Sequence, residues 1–541
     1  MRYMLFCQYW VWIFLLAACG GSSSNSLISN ISSSSSEIAS VKLSGVVTYD
    51  FIPAHESHIG LNYEASQIRP VRGAVVELLD ADGRILTESS TDINGGYDFQ
   101  VAPDTQVRVR VKAQLKQARL PSWNVKVTDN TRNNRMYALD GGLVSSGGQD
   151  SFRNLHAASG WANGAYSSPR AAGPFAILDA VYLGLQGIIE VNSDVSFPSL
   201  ELRWSVNNTT AVHPEGDFST GEIGTSAFVG DVIYLLGAEN VDTDEFDTHV
   251  ILHEWAHYFE KALSRTDTIG GMHQYADYLD MRVALSEGFS NALSAMLLND
   301  EHYRDSGGAQ QRRGYTFDVS ETNHPVKGWY NESSIESIFF NYYRSDNGKA
   351  ADDFAPLISV LMDASYISAQ SLTSIFLFAE RWKALFPEQV NLIESLLVQQ
   401  DINAFDQYAL TEINDAGYAG LLPVYKTLYA DAIPVSACST ARFGKGNKVG
   451  VYQFFRLQIT RAGQYTLAAS RNSGDLIDTN PDFKVYRRGT EVSKSASETL
   501  NQEIKTIYLT PDEYILELYD RNNTDPTHQG VHTTCFSVQV N

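Results

Sequence analysis

Apolar and polar positions change rhythm several times along this chain, and each change predicts an element. Residues 4–18 are an almost unbroken apolar run behind one basic residue, Arg2. The run is short for a membrane-spanning helix and ends in small residues, as an export signal does. Residues 20–40 are rich in Ser, Gly and Asn without periodicity, which reads as a flexible tether. From residue 41 to about 130 a strand rhythm takes over. Residues 41–49, 71–79, 84–88 and 97–101 read as strands, with turns at Asp80-Ala81-Asp82-Gly83 and Asn94-Gly95-Gly96. Residues 174–191 switch to helical spacing, 200–206 alternate like a strand, and 226–236 form a β-rich run ended by Gly237. Helical spacing returns over 248–263, with Asp247 or Thr248 as N-cap, and over 282–298. Beyond Glu332 helices are expected to dominate to about Tyr429. Residues 436–541 return to strands, at 452–459, 464–469, 483–487, 504–509 and 513–519.

Composition narrows the class. At 541 residues the chain exceeds one ordinary domain, and 43% hydrophobic against 19% charged residues is a globular balance. The 28 Tyr and 25 Phe favour β-rich parts. A formal charge of −23 argues against nucleic acid as a partner and against charge-driven docking on anionic lipid. Of four cysteines, Cys7 lies in the signal and Cys19 just after it; Cys438 and Cys535 flank the last segment. In an exported chain two such thiols suggest one disulfide tying that segment's ends together.

The chemistry centres on His253-Glu254-Trp255-Ala256-His257. On a helix, residues four apart share a face, so both imidazoles reach one Zn²⁺, and Glu254 stands beside the metal as a general base for its water. A catalytic zinc keeps three protein ligands and an open position. Residues 258–263 read Tyr-Phe-Glu-Lys-Ala-Leu, which excludes the HExxHxxGxxH spacing of metzincins. Glu287, in Ser286-Glu287-Gly288-Phe289-Ser290-Asn291 on the second long helical pattern, is the expected third ligand. Asp247 is a rival that reads better as a cap, and His273 sits in a loop after Gly270-Gly271. His273, Asp277 and Asp280 form a polar run that reads as a solvated loop, with Ca²⁺ binding, unsupported by any further motif, or a cover over the cleft as the alternatives. His55-Glu56-Ser57-His58 has the wrong spacing and also reads as a loop.

Several stretches resemble known families. Leu16-Ala17-Ala18-Cys19 resembles the lipobox of bacterial lipoproteins, which implies cleavage before Cys19 and lipid on its thiol. Gly20 in the next position implies an outer-membrane address, facing the periplasm or the cell surface. Pro70-Val71-Arg72-Gly73-Ala74-Val75-Val76-Glu77-Leu78, Thr91-Asp92 and Gly96-Tyr97-Asp98-Phe99 resemble a carboxypeptidase regulatory-like domain, which implies a transthyretin-like β-sandwich without catalysis. The Glu287 segment resembles the third-ligand helix of gluzincins, the thermolysin-like and fungalysin-like metallopeptidases. Asn291 stands where they carry Asp, and the resemblance implies an acceptor for a ligating histidine's free N–H. Ser226-Ala227-Phe228 resembles their substrate-binding edge strand, which holds a peptide by β-augmentation. Gly328-Trp329-Tyr330-Asn331 corresponds to their Gly-x-His-x-Asn text, and Tyr330 in the His position implies an oxyanion donor. Gly463-Gln464-Tyr465-Thr466-Leu467 and Asp512-Glu513-Tyr514-Ile515-Leu516 resemble pre-peptidase C-terminal domains.

The expected organisation is therefore a signal over 1–18, a tether over 19–40, a β-sandwich over 41–130, a zinc peptidase domain over 150–435 and a C-terminal β-sandwich over 436–541. The peptidase core is expected to be α+β and zincin-like, with a strand-containing half followed by a helical half. The expected function is hydrolysis of peptide bonds in peptides or proteins by a zinc-activated water, with the membrane reached only through lipid on Cys19. No terminal-amine anchor is visible, which favours an endopeptidase. The rival is a cell-surface binding or adhesion lipoprotein with an inactive zinc-binding core.

Overall fold

The computed structural model describes residues 40–56, 58–345 and 353–541. The expected signal over 1–18, the expected lipidation position Cys19 and the expected tether up to residue 39 lie outside the described residues. The chain is mixed α/β, with several sheets and, among the described residues, nine α-helices.

The long strand Val41–Phe51 pairs antiparallel with Gln67–Pro70 and Gly96–Val101, and parallel with Ser151–Phe152 and Leu155–Ala157. It shares a core with a larger sheet, running Ala227–Val229, Val232–Leu235, Leu200–Trp204, Trp123–Asp129, Gln106–Gln117, Ala74–Leu79 and Ile85–Ser90 from edge to edge. The expected boundary between residues 130 and 150 therefore falls inside one sheet. Trp123–Asp129 pairs in parallel with Leu200–Trp204, placing Val127 opposite Leu202. Parallel neighbours need a crossover, and the connection contains helix α1, Gly173–Val191. Val125, Val127, Leu200 and Leu202 are all buried, so neither strand could end a domain without exposing an apolar edge. α1 is long and apolar enough to cross a membrane, yet 61% of its apolar window is buried in the fold, which suits a core helix.

Three helices set up the cleft: α2, Thr248–Leu263; α3, Met281–Leu298; and α4, Glu332–Arg344. α2 packs between α1 and α3, and α3 against α4. Small residues permit the close approaches. A Cβ on Gly184 of α1 would stand 2.9 Å from the Trp255 ring, and one on Gly288 would stand 2.5 Å from the Glu332 carbonyl oxygen. Asp280 caps α3 by accepting from the Arg282 N–H at 3.0 Å.

The helical stretch ends sooner than its apolar spacing suggests. Its last helix is Val390–Gln399, and Tyr425–Tyr429 is a strand with Tyr425 and Leu428 buried. That strand pairs in parallel with Tyr452–Ile459 and so belongs to the C-terminal sandwich. The hairpin His302–Gly307 with Arg313–Asp318 has no counterpart in the sequence reading.

The C-terminal sandwich stacks a five-stranded on a four-stranded sheet around Phe455, Leu457, Leu516 and Phe536. Cys438 and Cys535 are cross-strand partners joined by a disulfide, with a sequence separation of 97. The sandwich is tied to α3 by Arg282, which is 1% exposed and donates to both Asp280 and Glu517.

Candidate metal centre

His253 and His257 project from α2 one turn apart toward α3. Their Nε2 atoms lie 3.1 Å apart, and Glu287 Oε2 lies 3.2 Å from the first and 3.3 Å from the second. Ligands at about 2.0–2.1 Å around a tetrahedral zinc stand about 3.3 Å from one another, so the triangle has the size that zinc requires.

The outer ring nitrogens explain why the inner ones converge. His253 Nδ1 donates to Asn291 Oδ1 at 2.8 Å, and Asn291 Nδ2 donates to Glu336 Oε2 at 2.9 Å. His257 Nδ1 lies 3.1 Å from Ser286 Oγ, whose own proton goes to Glu260 Oε2 at 2.5 Å, so the ring N–H donates to Ser286. With both Nδ1 atoms donating, both Nε2 atoms present lone pairs beside a carboxylate oxygen. Three acceptors then face one point, which a metal ion or a proton on His257 Nε2 can occupy. Asn at 291 also has a reason here, because a carboxylate would face the buried Glu336.

Charge follows the same geometry. Burial pulls the His257 imidazole down, but Glu287, Glu260 and Glu254 outweigh it and hold it well above its ordinary value. Burial works to raise the Glu287 carboxyl, and His257, His253 and His273 together drive it well below the usual range. Glu254 is pushed up by burial, against His253 and His257. Its Oε2 accepts the Phe228 N–H at 2.7 Å. Phe228 belongs to Ala227–Val229, the edge strand of the large sheet, so the edge and the carboxylate are in register with one another.

Three residues singled out in the sequence lie elsewhere. Ser226 is 8% exposed and turned inward; its hydroxyl donates to Asp244 and accepts from the Leu236 N–H, leaving Ala227 and Phe228 on the edge. Tyr330 is not brought to the triad. It immediately precedes Asn331, the N-cap of α4, and its ring is drawn inward to stack on Tyr278 at 5.3 Å while its hydroxyl donates to Asn414 at 2.8 Å. Asp247 takes the N-cap position of α2, but its carboxylate accepts from the N–H and hydroxyl of Ser306 instead of the helix. The polar run before α3 divides. Asp277 pairs with Lys448 at 3.3 Å, Asp280 caps α3, and His273 returns to the cleft, with Nε2 3.5 Å from Glu287 Oε2 and 3.3 Å from Glu332 Oε2. Burial lowers the His273 pKa, and Glu287 and Glu332 raise it above its ordinary value; burial pushes the Glu332 carboxyl up to about 7. Glu260, Glu332 and Glu336 were missed in the sequence. Nothing in their spacing sets them apart from surface carboxylates; α4 carries Ser333, Ser334, Ser337 and Asn341 beside Glu332 and Glu336.

No family model matches the chain, and no curated protein matches it. Solved structures with local likeness include the pre-peptidase C-terminal domain of a collagenase from Bacillus anthracis, at 10% identity and TM-score 0.16, covering 21% of this chain and 94% of that one. A putative carbohydrate-binding protein from Pseudomonas aeruginosa matches at 13% identity and TM-score 0.14, over 22% of this chain and 90% of that one. A periplasmic inhibitor of g-type lysozyme from Aeromonas hydrophila matches at 13% identity and TM-score 0.14, over 21% and 97%. At these scores the likenesses carry no argument about the site.

Proposed function

We propose that the chain is an exported zinc-dependent peptidase of the gluzincin type, held at the bacterial outer membrane by lipid on Cys19. The observation that carries this reading is the triangle of His253 Nε2, His257 Nε2 and Glu287 Oε2, with sides of 3.1 to 3.3 Å. Two nitrogens and one carboxylate oxygen are a catalytic zinc donor set. Zinc held there supplies an acidified water and polarises the scissile carbonyl. The rest belongs to the chain's own side chains. Glu254 takes the water's proton and returns it to the leaving amine, and its raised carboxyl brings it nearer the pH at which it both accepts and releases. The Phe228 N–H fixes one Glu254 oxygen, and the edge Ala227–Val229 offers backbone groups to an extended peptide. His273, with Nε2 3.5 Å from Glu287 Oε2 and 3.3 Å from Glu332 Oε2, is assigned the oxyanion-donor role first given to Tyr330. The Cys438–Cys535 disulfide supports export.

Glu254→Gln tests the mechanism. The variant should keep one zinc per chain by metal analysis and lose about 10²–10⁴-fold in casein turnover, the range of general-base catalysis. Undiminished turnover would sink the mechanism. A zinc-loaded parent that is inert on casein and gelatin would instead favour the binding-lipoprotein reading.

A further inference from the structure

The second convergence of acidic groups lies at the N-terminal end of α2. Asp242 sits on the short strand Asp242–Thr243, Asp244 opens the single turn Asp244–Phe246 that leads into α2, and Asp305 comes from the hairpin strand His302–Gly307. One carboxylate oxygen from each lies within 4.8 Å of the others. Asp247 adds a fourth carboxylate nearby, already held by Ser306.

Proximity alone does not make a site; the state of the oxygens does. Asp244 is 2% exposed, and its Oδ1 is buried without a hydrogen-bond partner while Oδ2 is held by Ser226. Asp242 Oδ1 is likewise buried and unpartnered. Arg170 pairs with Glu245, and Arg304, which lines the same cleft as Asp305 together with His55, His58 and His302, pairs with Asp300. Among the described residues no Lys or Arg forms an ion pair with any of the four. An uncompensated buried carboxylate costs several kcal/mol; burial drives these three carboxyls toward their protonated form, and a cation at the point they share would relieve the same cost.

We propose that Asp242, Asp244 and Asp305 form a second metal site, for Ca²⁺, independent of the zinc triad. An all-oxygen, carboxylate-rich donor set suits a hard cation and not zinc. Oxygens around one calcium ion at about 2.3–2.6 Å stand no more than about 5 Å apart, and the three fall within that limit. A cleft of ≈ 200 Å³ lined by Asp247, Asp305, Ser306 and Tyr315 gives solvent a route to Asp305 for entry and for the remaining water ligands. The ion would fasten three parts that border the triad: the entry to α2, the hairpin whose Tyr303 meets the His253 ring edge-on at 6.1 Å, and, through Ser226, the start of the edge strand.

The test uses the full chain stripped of metal on a chelating resin and reloaded with one equivalent of zinc. Calorimetric titration with calcium chloride should show one site, and calcium should raise Tm by several degrees without changing zinc content. Asp305→Asn, at the mouth of the cleft, should weaken calcium binding at least tenfold. Asp244→Asn carries a sign change. Without calcium it removes a repelling charge and should raise Tm above the parent, whereas in millimolar calcium it should fall below the parent. If Asp244→Asn does not fold, Asp305→Asn decides alone. No calcium-dependent Tm shift, tighter binding of magnesium chloride than of calcium chloride, or unchanged calcium affinity in Asp305→Asn would overturn the assignment.

Discussion

Asn291 shows how one side chain decides the state of another. By accepting from His253 Nδ1 it commits that ring to a single tautomer, and by donating to Glu336 it fixes its own amide orientation. Asn291→Ala should lower zinc affinity about 10–100-fold, measured by chelator competition, while leaving the two histidines in place. The His253/His257 pair was legible because helical periodicity alone puts both rings on one face. The Glu287 position was legible from its text. His273 was not, because the path of a glycine-containing loop is set by what it packs against; here Asn447 and Lys448 of the sandwich bond the carbonyls of Gly270 and Met272. Tyr330 was misplaced for a related reason. A position in a motif fixes the backbone neighbourhood, while the side chain goes where burial and a partner such as Asn414 draw it.

At the scale of elements, the site depends on how closely α3 lies against α4. A methyl group at 288 would meet the Glu332 carbonyl oxygen at 2.5 Å and Ile335 Cβ at 2.6 Å. Gly288→Ala should therefore destabilise the fold by about 1–3 kcal/mol and weaken zinc binding, read by urea unfolding and metal titration on the same samples. Long helices and alternating strands were readable because their burial follows one period. The strand Tyr425–Tyr429 was not, since its partner, Tyr452–Ile459, lies in what reads as a separate domain. Its Lys426 carries a pH signature. Burial pushes the amine down from 10.5 to about 8. A depressed folded value means the contribution is intact above pH 10.5 and lost as pH falls through about 8, so the half-buried ammonium costs stability at neutral pH. Lys426→Met should be more stable than the parent at pH 7, and the difference should vanish by pH 10.5 in urea unfolding series.

Across the whole molecule, the parts that read as modules are joined by buried charge and by shared sheet. Arg282 of α3 and Glu517 of the sandwich are 1% and 0% exposed, so removing Glu517 leaves the buried guanidinium with Asp280 alone and takes the partner from Lys484. Glu517→Gln should cost about 3–5 kcal/mol and split thermal unfolding into separate transitions by calorimetry. The two sandwiches were anticipated as strands, but their attachment was not, because composition marks where loops lie and not which strands meet across them. The N-terminal strands have the stronger bond to the centre, since Trp123–Asp129 finds its outer neighbour only in Leu200–Trp204. That pairing imposes a timetable on biogenesis. As the chain is synthesised N-terminus first, one margin of a valine-bearing strand stays bare until α1 and the segment beyond it have arrived. During that interval another copy's strand is as good a partner as the chain's own, so crowding of nascent chains, and not the stability of the finished protein, is the point at which production is vulnerable.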